Sequence, residues 1–279
     1  MERLPDTTEN GLEFRTALVS VVYNQCCGNS VTCKTIKEGS KRPDIILIID
    51  NSTREMNNQQ YCEKEGWLYH SMEGNAGLTK AYNAAISILK NKADFVIWAD
   101  DDAFFPPDYL EKLMNCISRT PTKDVFLPVV KSTSGMLSPA VYTQRRIVPV
   151  NELSEIKNRQ VSAINSGMVV RLSLYDNYSY DETMFLDYVD HDFMYWCNQN
   201  GKNIQIMEDV LLFQSFFDDE KSPSIEAIKH RMKIFCKDIR VFERKCGKSR
   251  VLTELDLLRY CYYRYRKILK IWLKEKLMH

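Results

Sequence analysis

The first half of the chain alternates short apolar runs with amphipathic stretches. Two of the runs, residues 16–24 (TALVSVVYN) and 44–50 (DIILIID), are almost continuously apolar and end in polar residues. Such runs are typical of strands that are covered on both faces, as in a parallel sheet. The runs at 67–71 (WLYHS) and 95–99 (FVIWA) predict two further strands.

Helical periodicity fills the gaps between these strands. Residues 30–40 are long enough for a short crossover helix, and residues 75–92 place Leu78, Ala81 and Ala85 on one helical face, with Asn75 as the cap. Alternating strands and helices are typical of an open α/β sheet with helices on both faces. In such sheets ligands bind at the carboxyl ends of the strands.

The second half continues the pattern less regularly. It predicts a helix at 107–118, a strand at 124–130, an irregular excursion at 131–160, a strand-like piece at 163–171 interrupted by Ser166 and Gly167, a helix at 189–198 and a strand at 210–217. The small Ser166–Gly167 pair permits close approach of a ligand or of another backbone.

From Ser222 and Pro223 onward the chain becomes helical and basic. A helix through about Arg244 is predicted, followed by a second amphipathic helix from Thr253. We therefore expect an N-terminal extension (1–15), a catalytic α/β domain (16–220) and a helical C-terminal appendage (221–279).

Three adjacent aspartates, Asp100, Asp101 and Asp102, follow the apolar strand at 95–99. Adjacent carboxylates repel one another and are costly to desolvate, so they need a counter-charge. A divalent cation with oxygen ligands would supply it; the alternative is a solvated acidic turn. Asp50 also ends a predicted strand, so we expect it to share one crevice with the triplet.

Charge and cysteine content narrow the function classes. Lys plus Arg (38) nearly balance Asp plus Glu (37), so no global charge points to nucleic acid. The polar opening lacks the apolar core of a signal peptide, and no run approaches the ~18 apolar residues of a membrane span. The nine cysteines include no CxxC pair, which favours free thiols and a cytoplasmic location.

The order of several short motifs resembles glycosyltransferase family 2, the inverting enzymes of the GT-A fold, over roughly residues 16–217. The motifs are VVYN, IIDNST, GNAGLTKAYNAAI, the aspartate triplet, NSG and FLDYVDHDF followed by GKNI. The stretch DETMFLDYVDHDF is most similar to the bacterial rhamnosyltransferase-like and galactofuranosyltransferase-like branch. The resemblance implies transfer of a hexosyl residue from a UDP- or dTDP-linked sugar to a growing surface polysaccharide or a lipid-linked glycan.

The resemblance also implies roles for the donor side. Asp50 matches the carboxylate that reads the pyrimidine, and Asp100 and Asp102 match the D-x-D residues that hold Mn²⁺ or Mg²⁺ on the diphosphate. Asp101 would be a ribose contact or would support the metal ligands. The positions that would line the diphosphate and sugar are Asn75, Gly77, Lys80 and Asn83. Related enzymes often place a histidine metal ligand where this chain has Gln214, whose amide is a weaker ligand.

On the acceptor side the resemblance implies Asp190 as the catalytic base. An inverting transfer is a single displacement, so one carboxylate near the acceptor hydroxyl suffices. Asp192 is the competing candidate; on a helix the two side chains diverge, and we assign Asp192, with Ser166 and Gly167, to acceptor binding.

Two other function classes compete with this interpretation. A metal-dependent nucleotidyl or phosphoryl transferase also uses clustered aspartates, but it would need a second carboxylate pair and would release pyrophosphate. A non-catalytic sugar-nucleotide-binding subunit would be expected to lack Asp190 or the triplet, and both are present.

The last predicted helix carries an aromatic and basic pattern. Its apolar side chains fall near one face, and its basic residues lie largely off that face: Leu258, Cys261, Tyr262, Tyr265, Ile268, Leu269 and Trp272 against Arg259, Arg266, Lys267, Lys270 and Lys274. The pattern favours peripheral contact with the inner membrane surface. The alternative is packing of this face on the catalytic domain or on a second subunit.

Overall fold

A computed structural model of the chain describes residues 14–133, 135–143, 146–214 and 225–277. Its strands are β1 (Thr16–Val22), β2 (Ile45–Asp50), β3 (Leu68–Ser71), β4 (Phe95–Ala99), β5 (Ala103–Phe104), β6 (Val125–Ser132), β7 (Gly135–Ser138), β8 (Ala140–Tyr142), β9 (Ile147–Pro149), β10 (Gln160–Ser162), β11 (Val169–Arg171) and β12 (Ile204–Gln214). Its helices are α1 (Val31–Glu38), α2 (Asn58–Glu65), α3 (Leu78–Leu89), α4 (Tyr109–Arg119), α5 (Val189–Gln199), α6 (Ile225–Lys245) and α7 (Arg250–Leu277).

The main sheet is open and mixed. Its strands follow the order β3-β2-β1-β4-β11-β6-β12-β5, with β7 paired to β6. β3, β2, β1 and β4 pair in parallel, as do β6 and β12, whereas β11 runs antiparallel between β4 and β6. This arrangement brings the carboxyl ends of β2, β4 and β12 to one edge, together with the chain that enters β11.

Two hydrophobic clusters cover the two faces of the sheet. One buries α3 and α5 against β1 and β4, and the other buries α1 and α4 against the opposite face of the same strands. The buried strands β1, β2 and β4 therefore carry apolar residues on both faces, as the nearly continuous apolar runs predict. All nine cysteines are free, which agrees with the prediction of free thiols.

The structure corrects several predicted elements. The excursion at 131–160 contains strands β7 to β10, and β10, β8 and β9 form a separate three-stranded sheet. These strands are only three or four residues long, too short for an alternating pattern to stand out. The polar helix α2 was not predicted, and only Val169–Arg171 of the strand expected at 163–171 is a strand. β12 begins earlier than predicted, at Ile204, and its predicted end at 215–217 lies outside the described residues.

Helix α3 also begins later than predicted, at Leu78 rather than Asn75. Gly77 precedes the helix with φ +90°, and a Cβ there would lie 2.7 Å from the ring of Phe185. Asn75 is therefore not the helix cap; its Oδ1 accepts a hydrogen bond from the Gly77 backbone N–H at 3.3 Å. The close approach of the 184–187 loop, which no local pattern shows, sets the start of this helix.

The C-terminal region packs on the catalytic domain through α6. Phe242 is buried in the same core cluster as α3 and α5, and its ring stacks on Tyr188 at 5.1 Å between centroids. The division into a catalytic domain and an appendage stays a prediction, and residues 1–13 and the predicted cap at Ser222 and Pro223 lie outside the described residues. None of the helices in the described part of the chain combines the length and apolar character needed to cross a membrane.

Candidate active site

The aspartate triplet lies at the carboxyl edge of the main sheet, directly after β4. Asp100 accepts hydrogen bonds from Ser166 Oγ at 2.5 Å and from the Gln214 amide at 3.2 Å. The same amide donates to Asp102 Oδ1 at 3.0 Å. One side chain at the end of β12 therefore bridges two carboxylates of the triplet.

The triplet is an electrostatically strained cluster. The pKa of Asp100 is raised to about 6: burial is the largest cause, the charges of Asp102 and Asp190 add to it, and the hydrogen bonds from Ser166 and Gln214 oppose it. Burial and the charges of Asp102 and Asp100 raise the pKa of Asp101 to about 6. Burial also raises the pKa of Asp102. Three carboxylates that resist ionisation together create a strong preference for a cation.

The loop and first turn of α1 hold the backbone of the triplet. Ser30 Oγ donates to the Asp101 carbonyl at 2.7 Å, and Thr32 Oγ1 donates to the carbonyl of Asp100. The side-chain amide of Gln25 donates to the Asp101 carboxylate. No sequence motif marks these three residues, because their contacts depend on where α1 lies against β4.

The contacts of the triplet show which side chains could ligate a metal ion. Within the described residues, no three His, Cys, Asp or Glu side chains converge as a complete metal site. The carboxylates of Asp100 and Asp102 nevertheless converge, because both accept a hydrogen bond from the amide nitrogen of Gln214. Carboxylate oxygens, and the amide oxygen of Gln214 if the group turns, suit Mg²⁺ or Mn²⁺. These residues fit a cation that takes its remaining oxygen ligands from a bound diphosphate.

Asp50 ends β2 at the same edge and is almost fully buried. Its Oδ2 accepts hydrogen bonds from Asn58 Nδ2 at 2.8 Å and Tyr69 OH at 3.2 Å, and its Oδ1 accepts one from the Ser52 backbone N–H at 2.9 Å. It lines a cleft of about 440 Å³. Asn58 and Tyr69 were missed because neither lies in a recognisable motif.

The other residues predicted on the donor side have different surroundings. Lys80 is exposed on α3, one turn from Gly77. Asn83 is bonded to the neighbouring loop: its amide donates to the Tyr180 carbonyl at 3.0 Å, and its oxygen accepts from the Tyr180 N–H at 3.0 Å. These bonds give Asn83 a structural explanation, and its donor-binding role stays a prediction.

Ser166 and Gly167 lie inside the protein at the entry to β11. Ser166 is 0% exposed and bonds to Asp100 and Gln214. Gly167 has φ +73°, its N–H donates to the Trp98 carbonyl at 2.8 Å, and its carbonyl accepts from Tyr109 OH at 2.9 Å. The small pair thus permits close approach of β4 and β12, and Ser166 supports Asp100. The role of the pair in acceptor binding stays a prediction.

Asp190 and Asp192 diverge on the first turn of α5, as expected. The Asp190 side chain is partly exposed, and its Oδ1 accepts the His191 backbone N–H at 2.8 Å. Asp192 is buried, and its Oδ2 lies 2.8 Å from Lys245 Nζ and 3.2 Å from Tyr178 OH. Of the two, Asp190 has the more exposed carboxylate. The roles of Asp190 as base and of Asp192 in acceptor binding stay predictions.

Comparison with known protein families identifies the family of the chain. The family model described as "Glycosyl transferase family 2" matches residues 20–182, more than half of the chain. The chain belongs to glycosyltransferase family 2. This membership and the mixed α/β sheet confirm the predicted GT-A fold and the enzyme class, a glycosyltransferase.

Solved structures agree with the fold of this glycosyltransferase. S. aureus TarS (residues 1–349) superposes with a TM-score of 0.53 at 17% identity, covering 81% of this chain and 65% of that TarS fragment. GalNAc-T7, solved with UDP, GalNAc and Mn²⁺, gives a TM-score of 0.57 at 13% identity, covering 79% of this chain and 48% of that one. The glycosyltransferase thus spans less than two thirds of these relatives. No curated protein sequence matches it significantly.

Proposed function

We propose that the chain is an inverting glycosyltransferase that moves a hexosyl residue from a nucleotide-diphosphate sugar to a hydroxyl group of a glycan. The observation that carries the proposal is the aspartate triplet held by Ser166 and Gln214 at the edge of the sheet, close enough to Asp190 for the charge on Asp190 to contribute to the raised pKa of Asp100. A candidate base therefore lies within electrostatic reach of a candidate diphosphate site.

The nucleotide would bind at Asp50, in the cleft at the end of β2. A carboxylate that is held by Asn58, Tyr69 and a backbone N–H has a fixed orientation and can accept the ring N–H of a pyrimidine. TarS has been crystallised with UDP, and GalNAc-T7 with UDP and GalNAc, which supports UDP over dTDP as the first nucleotide to test.

The diphosphate would lie over the triplet. Asp100 and Asp102, with the oxygen of Gln214 as a third candidate ligand, would hold Mn²⁺ or Mg²⁺ there, and Ser166 fixes the rotamer of Asp100. When bound, such a cation offsets the negative charge that develops on the leaving diphosphate. The Mn²⁺ in the GalNAc-T7 structure supports testing manganese first.

The transfer itself would be a single displacement. Asp190 takes the proton from the acceptor hydroxyl while that oxygen bonds to the anomeric carbon; the bond from that carbon to the diphosphate oxygen breaks, and the configuration inverts. The products are the glycoside and the nucleoside diphosphate. The partial exposure of Asp190 leaves one side of the carboxylate open to an acceptor.

The acceptor is proposed to be a growing surface polysaccharide or a lipid-linked glycan, and the sugar a rhamnosyl, galactofuranosyl or other hexosyl residue. Exposed apolar side chains on α7 support contact with the cytoplasmic face of a membrane: Val251, Leu252, Leu255, Leu258, Tyr262 and Tyr263. The structure does not describe the side chains of several other residues predicted on this helix: Tyr265, Lys267, Ile268, Leu269, Lys270, Trp272 and Lys274.

A thermal-shift screen of nucleotide sugars tests the proposal. UDP-hexoses, UDP-galactofuranose and dTDP-rhamnose are each compared with and without Mn²⁺, and hits are followed by product analysis. We expect stabilisation by one donor only when Mn²⁺ is present, then release of the nucleoside diphosphate with a glycoside of inverted configuration. Release of pyrophosphate, or a product of retained configuration, would contradict the proposal.

A further inference from the structure

One face of helix α6 contacts the loop that precedes Asp190. Arg231, Asp238, Phe242 and Lys245 are spaced seven, four and three residues apart, which places them on the same side of the helix. All four contact the segment 181–192. The family model ends at residue 182, so it covers neither this helix nor most of the segment.

Asp238 makes the most demanding of these contacts. It is 0% exposed, and its carboxylate accepts three consecutive backbone N–H groups, from Phe185 at 2.9 Å, Leu186 at 2.8 Å and Asp187 at 2.9 Å. A buried carboxylate is stable only when such donors satisfy it. Three converging N–H groups fix the backbone path of the loop, because any other path would leave this charge unpaired.

Three further residues of α6 hold the same segment on either side of this backbone. Arg231 forms a two-pronged ion pair with the Asp187 carboxylate, and the ring of Phe242 stacks on Tyr188. Lys245 Nζ lies 3.0 Å from Asp181 and 2.8 Å from Asp192.

The loop connects the candidate base, Asp190, with the start of helix α3, where donor binding is predicted. Tyr188, at φ +62°, turns the chain into α5, and Asp190 is the second residue of that helix. On the other side, the Phe185 carbonyl accepts the Leu78 N–H at 2.6 Å, and Thr79 Oγ1 donates to the Met184 carbonyl at 2.7 Å. The backbone that Asp238 holds therefore touches the start of α3 and fixes where α5 begins.

We propose that Asp238 is a positioning residue for transfer: by holding the 185–187 backbone, it sets the place of Asp190 relative to the donor site. Asp238 contacts neither donor nor acceptor and acts through the loop alone. The inference rests on the proposed function, because it assigns Asp190 as the base. A displacement of about 1 Å in a reacting group can lower the rate by ~10²-fold.

The test compares Asp238→Asn with Glu254→Gln in the full-length protein. Asparagine turns one of the carboxylate oxygens into an N–H donor that faces backbone N–H groups. Glu254 on α7 pairs with Arg240 of α6 away from the loop, so its change is a matched control for the same helices. Arg231→Lys, which removes the two-pronged pair at a partly exposed site, serves if Asp238→Asn folds poorly.

Two measurements are made on each variant. Hydrogen exchange of the peptide that spans 184–192 reports loop order, and turnover is divided by the number of sites that bind UDP with Mn²⁺ in calorimetry. We expect faster exchange, turnover per site lowered by about 10- to 100-fold and a Kd for UDP within about 3-fold of wild type for Asp238→Asn, with Arg231→Lys showing a smaller loss. Glu254→Gln should match wild type.

The outcomes distinguish failure of the role of Asp238 from failure of the assignment of Asp190 as the base. A looser loop with unchanged turnover per binding site would make Asp238 merely structural and overturn the inference, as would unchanged exchange. If Asp190→Asn is inactive while Asp238→Asn is normal, the inference alone fails. If Asp190→Asn keeps wild-type turnover, the assignment of the base in the proposed function fails, whatever Asp238→Asn does.

Discussion

The side-chain amide nitrogen of Gln214 lies 3.0 Å from Oδ1 of Asp102, although the two residues are 112 positions apart in the sequence. The same nitrogen bonds to Asp100. An amide carries an oxygen beside its nitrogen, so a half-turn of the group would present an acceptor in place of a donor. Gln214 therefore offsets part of the repulsion between the two carboxylates. If a cation takes over this role, the amide oxygen can turn towards the cation as a ligand.

We expect Asp102→Ala to lower the affinity for both Mn²⁺ and UDP, and EDTA to inactivate the wild-type enzyme. Removing one carboxylate removes a metal ligand and with it the attraction for the diphosphate. Calorimetric titration of UDP with and without Mn²⁺ measures the effect. Glu111→Ala changes an exposed carboxylate on α4 and should bind normally. Full activity in EDTA would show that the triplet is an acidic turn without a role in metal binding.

We expect Asp190→Asn to lower turnover by at least ~10²-fold, because the amide cannot take the acceptor proton. The Kd for UDP should stay within a few-fold of wild type, since Asp190 lies outside the nucleotide cleft. Initial rates and UDP calorimetry measure the two effects. Asp192→Asn should keep substantial turnover but lose stability, because it weakens the contact with Lys245. The reverse pattern would make Asp192 the base.

We expect Asp100→Asn to stabilise the metal-free protein at neutral pH. The pKa of Asp100 is raised to about 6 in the folded protein, from an ordinary value of 3.8. The folded state therefore binds the proton more tightly than the unfolded chain, and ionisation of Asp100 costs stability as the pH rises from about 4 through 6.

Thermal melts in EDTA across this range measure the effect. The variant should melt about 2–5 °C above wild type at pH 7.5 and at the wild-type temperature near pH 4. The asparagine oxygen can still accept from Ser166. A variant that is less stable than wild type at pH 7.5 would show that the carboxylate is not strained.

We expect Gly167→Ala to be more destabilising than Gly66→Ala. The two glycines have nearly the same φ, +73° and +71°, so each alanine carries the same backbone cost of about 1–2 kcal/mol. At Gly167 the new Cβ would also lie 2.7 Å from Leu212 and 3.1 Å from Pro128, whereas at Gly66 it meets nothing within 4 Å. Overpacking should add about 1–3 kcal/mol, measured by urea denaturation. Equal losses would contradict the tight contact.

We expect α7 to bind anionic membranes. Co-sedimentation with anionic and neutral liposomes compares the full-length protein with a chain truncated after Ser249. The full-length protein should sediment with anionic vesicles at low salt and be released by high salt, because basic residues are attracted to anionic headgroups. Binding that ignores lipid charge, or a truncation that dissociates an oligomer without changing lipid binding, would assign this helix to protein packing instead.

Several features of the protein follow from the sequence alone. The buried strands β1, β2 and β4, the helix α5 and the triplet after β4 all rest on local signals: apolar runs, helical spacing and adjacent charges. The order of motifs also indicated the family, which the match over residues 20–182 confirms. These properties depend on neighbours in the chain, so a linear pattern contains them.

The partners of each carboxylate depended on the tertiary structure. Ser166 and Gln214 meet Asp100 because β11 is inserted antiparallel beside β4 and β12 ends at the same edge, an order that no local pattern encodes. Asp238 lies 51 to 53 residues from the N–H groups that it holds, on a helix predicted as an appendage. Apolar periodicity shows which face of an element is buried, but strand order and helix docking decide which polar groups meet there.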